Sequence, residues 1–198
     1  DLRQHYNAAL TENPFETFRK LRALNETFTT MPRGAATVGG VRFDLRGIVA
    51  LQGKQTQLRP MRADLTERVE GIQVGQAAKT LQFLHGTGWG HAPHGTVIGK
   101  VVVHYQDGET AEIPIRTGVH VRDWFLNAQD RRQVSDGKLV WVHSSPELSH
   151  RDIGVYLMTW ENPRPEQVIQ SLDYVSTMTD SAPFLLGVTL EGDQAGGE

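Results

Sequence analysis

His85, His91, His94 and His104 crowd one stretch of the chain. Neutral imidazole is a good ligand for Zn²⁺, Ni²⁺ or Cu²⁺, and three or four such rings facing one another would hold an ion. His91 and His94 flank Ala92-Pro93, and the proline keeps that pair off a helix. Strand parity separates the other two. With Val101, Val103 and Tyr105 facing a core, His104 points away, whereas His85 shares the core face with Leu81 and Phe83. No carboxylate adjoins them in sequence to complete a catalytic shell. Ordinary loop and core histidines are the simpler reading, and a metal-dependent enzyme built on His85, His91, His94 and His104 is the alternative.

The tryptophans point to a second chemistry. Sugars offer apolar C–H faces that stack on aromatic rings, and hydroxyls that need fixed polar partners. Trp89 lies in residues 86–95, a stretch with four glycines, and is the best-placed platform of this kind. Arg122 and Asp123, beside Trp124, would supply polar contacts. The expected ligand-binding set is therefore Trp89, His91, His94, Arg122, Asp123 and Trp124. Capping one end of the fold is the plainer role for Trp89, and Trp141 and Trp160 read as core. Oxygen-rich residues 1–7 and 107–109 offer ligands for a structural calcium, though neither has EF-hand spacing and a turn already accounts for Asp107. Asp123, Glu147, Glu161 and Asp173 would suit glycoside hydrolysis if two of them met at the right separation. The chain carries no G-x-S-x-G elbow, no H-E-x-x-H, no phosphate-cradling glycine loop and no cysteine nucleophile.

These residues must be positioned by strands. Residues 98–105 are rich in β-branched and aromatic types, Asp107-Gly108 marks a turn, and Ala111, Ile113 and Ile115 alternate beyond it. A three-residue loop at 106–108 pairs Val103 with Ala111 and Val101 with Ile113, which keeps core residues on one face; a two-residue loop would mix the faces. Pro114 cannot donate to a ladder, so this strand belongs at an edge or a bulge. Residues 41–51 read as a strand broken by a bulge at Gly47, 69–74 as a short strand, and 81–85 as the strand that leads into the 86–95 loop. Residues 52–66 read as an exposed loop, and 120–125, 138–143 and 184–190 as further strands. Residues 154–160 are apolar on both faces, so this strand is expected to be central and covered twice. Residues 168–178 fit a helix or a strand. Phe15, Phe18, Leu21, Leu24 and Phe28 recur at helical spacing behind Asn13-Pro14, which predicts a helix over 14–25 packed on the sheets.

Eight or more short strands with turns between them predict a mainly β fold, a β-sandwich of jelly-roll type with a short N-terminal helical segment. One domain over residues 1–191 is expected, with 1–34 laid against it and 192–198 a disordered tail. A chain of 198 residues buries roughly 70% of its unfolded surface and needs no cross-links. Zero cysteine excludes disulfides and thiolate sites, and is compatible with an extracytoplasmic or a cytoplasmic location. Twenty basic against 23 acidic residues give no electrostatic case for nucleic acid or an anionic membrane. No apolar run is long enough to span a bilayer. The chain begins at Asp1 rather than Met and is expected to be a piece of something longer.

The order FDLRG (43–47), LQFLHGTGW (81–89), IGKVVVHYQDG (98–108), IPI (113–115), VRDWF (121–125), TWENPRP (159–165) and APFLLGVTLE (182–191) resembles a bacterial group of galactose-binding-like β-sandwich domains. These are related in shape to discoidin and to glycosidase-appended carbohydrate-binding modules. The resemblance extends over roughly residues 1–191 and is one of pattern and order. It implies a non-catalytic module of a larger bacterial protein that binds a glycan through loops at one end, or docks a neighbouring domain, sometimes with a structural calcium. A structural protein-interaction domain is a further alternative.

Overall fold

The computed structural model describes residues 2–15, 27–58, 64–126, 134–144 and 152–192. They form β1 (Gly34–Val38), β2 (Val41–Leu45), β3 (Val49–Ala50), a helical turn α1 (Lys54–Gln57), β4 (Arg68–Gln76), β5 (Thr80–Gly88), β6 (Val97–Tyr105), β7 (Thr110–Arg116), β8 (Phe125–Leu126), β9 (Lys138–His143), β10 (Asp152–Glu161), β11 (Ile169–Ser176) and β12 (Ala182–Glu191). The predicted helix at 14–25 falls almost wholly outside the described residues; at its start, Asn13 Oδ1 accepts the Phe15 N–H at 2.9 Å.

Two antiparallel sheets pack as a sandwich. One runs β3-β12-β5-β10, with β8 and β9 both pairing β10 on its far side; the other runs β4-β11-β6-β7. Alternation along the strands decides what lies between them. Leu81, Phe83, Tyr156, Met158 and Leu185 from the first sheet meet Val101, Val103, Tyr105, Ile113, Ile115, Leu172 and Tyr174 from the second. The first sheet is apolar on its other face as well. There Leu84, Val155, Leu157, Phe184 and Leu186 are covered by Phe15, Phe28 and Met31 and by the β1–β2 hairpin, whose Phe43 and Leu45 point inward. β10 is thus covered on both faces, as its sequence requires. Each such side chain contributes about 1.5–3 kcal/mol by leaving water, which is why a chain without cross-links folds.

The β6–β7 hairpin has the predicted register, with Val103 opposite Ala111 and Val101 opposite Ile113. Gly108 takes φ +90°, a conformation that costs a glycine little. β7 is the outer strand of its sheet, where Pro114 loses no ladder bond.

Other expectations are corrected. The strand read over 41–51 is two strands in different pairings, since the chain breaks at Gly47 and β3 joins β12. The supposed loop at 52–66 includes α1, and Leu65 within it is buried. Residues 120–125 are mainly turn and isolated bridge, with only Phe125 and Leu126 in a ladder. Residues 169–176 are strand: packing between β4 and β6 overrides the helical spacing. Gly86, Thr87 and Gly88 belong to β5 rather than to a loop. The rings of Phe184 and Phe15 occupy the space where Cβ atoms of Gly86 and Gly88 would stand.

Candidate functional site

Three loops meet at one end of the sandwich: 89–96 after β5, 117–124 after β7, and 177–181 after β11. They are tied to one another by backbone. The Gly95 N–H donates to Thr117 O at 2.8 Å, the Thr117 N–H to Thr96 O at 3.0 Å, and the Trp124 N–H to Thr87 O at 2.9 Å. Ser181 Oγ donates to Trp89 O at 3.0 Å, joining the third loop to the first. Asp123 is buried, and its carboxylate accepts the Gly90 N–H at 2.7 Å and the Phe125 N–H at 2.9 Å. It therefore organises two turns and is not presented to solvent. A Cβ on Gly90 would stand 2.4 Å from Asp123 N, which is rigid backbone. Gly90→Ala is expected to cost about 1–3 kcal/mol, measured by urea unfolding, because overpacking here has no flexible neighbour to yield.

Trp89 sits at φ 53°, a left-handed conformation, and Met178 in the third loop at φ 54° is likewise left-handed. Strain of this kind costs about 1–3 kcal/mol and persists only where surrounding bonds impose it. The Trp89 ring is half-buried and meets Phe15 edge-on, with centroids 5.2 Å apart, so it caps the outer core as well as bordering solvent. His91 and His94 are exposed. His91 Nε2 lies 3.7 Å from Asp123 Oδ2, and a Cβ on Gly118 would lie 2.7 Å from His94 Cδ2, so His94 leans over the second loop. Arg122 is half-buried with Nε shielded from water, and it has no hydrogen-bond or ion-pair partner among the described residues. Trp124 differs from its expected role. It is buried against Phe28, Phe125 and Phe184 and offers a ligand no face.

The histidines are dispersed. His85 is buried between the sheets, with both ring nitrogens unpartnered, and burial together with the nearby His120 pushes it down to about 3. His104 lies on the outer face of the second sheet, where Nε2 is 2.8 Å from Asp173 Oδ2 and Asp173 Oδ1 accepts the Gly71 N–H at 2.9 Å. Among the described residues no three histidine or acidic side chains converge as metal ligands. Of the carboxylates considered for glycoside hydrolysis, Glu147 lies outside the described residues; Asp123, Glu161 and Asp173 sit on separate elements. Of the oxygen donors considered for calcium, Asp1 lies outside the described residues, Asp107 pairs with Arg164, and the Asn7 amide bonds both the N–H and the carbonyl of Ala50 at 2.9 and 2.8 Å.

Sequence reasoning did not find a groove of about 250 Å³ on the side of the sandwich. It is lined by Leu2, Arg3 and Tyr6 of the N-terminal segment, Asp44 of β2, residues 72–74 of β4, Leu172 of β11, and Gly187, Val188 and Leu190 of β12. The only signal for it in sequence was the FDLRG run, whose polar Asp44 and Arg46 point away from the core. Asp44 accepts Arg46 Nε at 2.9 and 2.8 Å and Arg3 Nη2 at 3.3 Å, and these guanidiniums hold its carboxyl below the usual range. Burial, then the Asp44 charge, raises the Tyr6 hydroxyl, which stays protonated at neutral pH.

Compared with known proteins, the chain matches no protein-family model, no curated protein and no solved structure.

Proposed function

We propose that the chain is a non-catalytic module of jelly-roll type that binds carbohydrate at the end bearing loops 89–96, 117–124 and 177–181. The jelly-roll reading is supported by strand order: β3-β12-β5-β10 within the six-stranded first sheet and β4-β11-β6-β7 in the second interleave in sequence as two Greek keys do. The binding reading rests chiefly on one observation. Loops tied by backbone hold a strained Trp89 beside exposed His91 and His94 and an Arg122 that has no partner among the described residues. Asp123 between them is occupied by backbone N–H groups, so donors predominate, and the planar guanidinium fork suits carboxylate or sulfate. The favoured ligand is a glycan that carries acidic groups.

The test is binding of a panel of neutral and acidic oligosaccharides by calorimetry. Wild-type binding of an acidic glycan, weakened at least tenfold in Arg122→Gln at unchanged melting temperature, is the expected result. No binding by any glycan, or equal binding by the variant, would sink the reading. Docking of a neighbouring domain has separate support: among the described residues β9 pairs only with β10, and Val142 on it is 43% exposed.

A further inference from the structure

His120 stands between two partners that suit different charge states of its ring. Nδ1 accepts the Arg116 N–H at 3.1 Å, which it can do only when unprotonated, so the neutral ring carries its proton on Nε2. That bond helps close a tight turn, together with the His120 N–H to Arg116 O at 3.0 Å and the Gly118 N–H to Val121 O at 2.7 Å. Arg116 Nη1 donates to Gly95 O at 3.0 Å, so the same turn is tied to the first loop. The second partner lies on the solvent side. Asp136 Oδ2 is 3.7 Å from His120 Nε2, on a side chain that is 78% exposed. The Asp136 N–H donates to Val119 O at 2.8 Å, which keeps that carboxylate beside the turn.

His85 lies under the turn. The His120 backbone comes close to its ring, yet neither ring nitrogen has a hydrogen-bond partner. An imidazole buried in this way gains water as soon as the chain above it moves.

Protonation of His120 changes the balance. Nδ1 becomes a donor and confronts the Arg116 N–H, and the charged ring needs an acceptor. Among the described residues, the charged and titratable groups that face it are Asp136, Arg116 and His85. Asp136 favours the charge, Arg116 opposes it, and His85 stays neutral while buried; His94 leans over Gly118 in the same turn. Burial weighs most and holds the closed ring below its ordinary value, so acid favours an open turn. In the open turn both imidazoles titrate near 6.5. Between its closed and open values, each raises the open fraction about tenfold per unit fall in pH.

We propose that His120 is a proton-operated latch of the loop end. Neutral, it closes the turn at 116–121 over His85; protonated, it gives up the Arg116 N–H, turns to Asp136 and lets water in. Arg122 and Asp123 follow in the chain, so the loop end loses its shape in mild acid. Release of a bound glycan by that change rests on the binding reading above.

The latch is tested without a ligand, so its failure and the failure of that reading are distinct. The measurement is amide hydrogen exchange of the whole chain by NMR between pH 7 and pH 5, expressed as protection factors. Protection at Arg116, Thr117 and Gly118 is expected to fall about tenfold or more, while Phe83, Val101 and Val103 keep theirs. Ring ¹⁵N shifts at pH 7.5 are expected to show His120 Nδ1 unprotonated. His120→Asn, whose Oδ1 accepts the Arg116 N–H without titrating, makes the fall about threefold smaller or more, leaving only the His85 contribution. Asp136→Ala, at an exposed side chain, moves the opening to lower pH. Loop protection that ignores pH, or that falls together with protection of the core strands, overturns the proposal. So does a protonated Nδ1 at pH 7.5, or an undiminished fall in His120→Asn.

Discussion

Trp124→Ala lowers the unfolding free energy by about 3–5 kcal/mol, the range for removing a large aromatic from a closed core. Trp124 is 1% exposed, with ring centroids 4.8 Å from Phe125, 5.4 Å from Phe28 and 5.8 Å from Phe184. Phe28 and Phe184 come from segments far from Trp124 in sequence, so the space left behind has no single neighbour able to collapse into it. Loss of the edge-to-face contact with Phe184 adds to the loss of buried area. Urea unfolding of the variant, with Trp124→Phe as a milder comparison, measures the effect. A change below about 1 kcal/mol would mean that Trp124 serves the surface after all.

His85 makes stability depend on pH. Its folded-state value lies at about 3, because burial opposes charging and a protonated His120 would oppose it further. In the unfolded chain the ring titrates near 6.5. The unfolded state therefore binds a proton that the folded state refuses. Stability is fully present above about pH 6.5 and drains away as pH falls towards 3. At pH 5 the gap is about 1.5 pH units, or about 2 kcal/mol, and at pH 4 it exceeds about 3 kcal/mol. His120, also lowered first by burial, acts in the same direction. His85→Leu removes both unpartnered ring nitrogens from the core, so it is expected to be near neutral at pH 7 and to flatten the slope. Unfolding curves for wild type and variant at pH 4, 5 and 7 decide it. Parallel pH profiles for the two would show that other groups carry the acid sensitivity.

The burial of His85 was legible before any coordinates. Parity from Leu81 and Phe83 places it on the core face, and the same argument turns His104 outward, where it meets Asp173. Parity is local, and a strand's own pattern carries it. The partner of His104 was not legible, because Asp173 reaches it across the β6–β11 pairing, 69 positions along the chain. Trp124 was misjudged for a related reason. Its neighbours Arg122 and Asp123 made it look like part of a polar cluster, and the five positions of VRDWF hold no period that says which way an irregular turn faces.

By itself the sequence determined the β-rich class, the β6–β7 register, the inward and outward faces of the long strands, and the double covering of β10. All of these follow from side-chain alternation and turn chemistry within a few residues, where the chain's own geometry leaves few choices. Only the tertiary structure decided the rest. It divided residues 41–51 between two pairings, drew Gly86, Thr87 and Gly88 into β5, scattered the histidines and opened a groove beside a two-residue β3. Each of those depends on where distant segments come to rest against one another, as with the Tyr6 ring on Gly47 and the Phe184 ring on Gly86. Such meetings are set by the volume left to fill once the sheets have packed, and close packing is a property of the assembled core rather than of any one stretch of sequence.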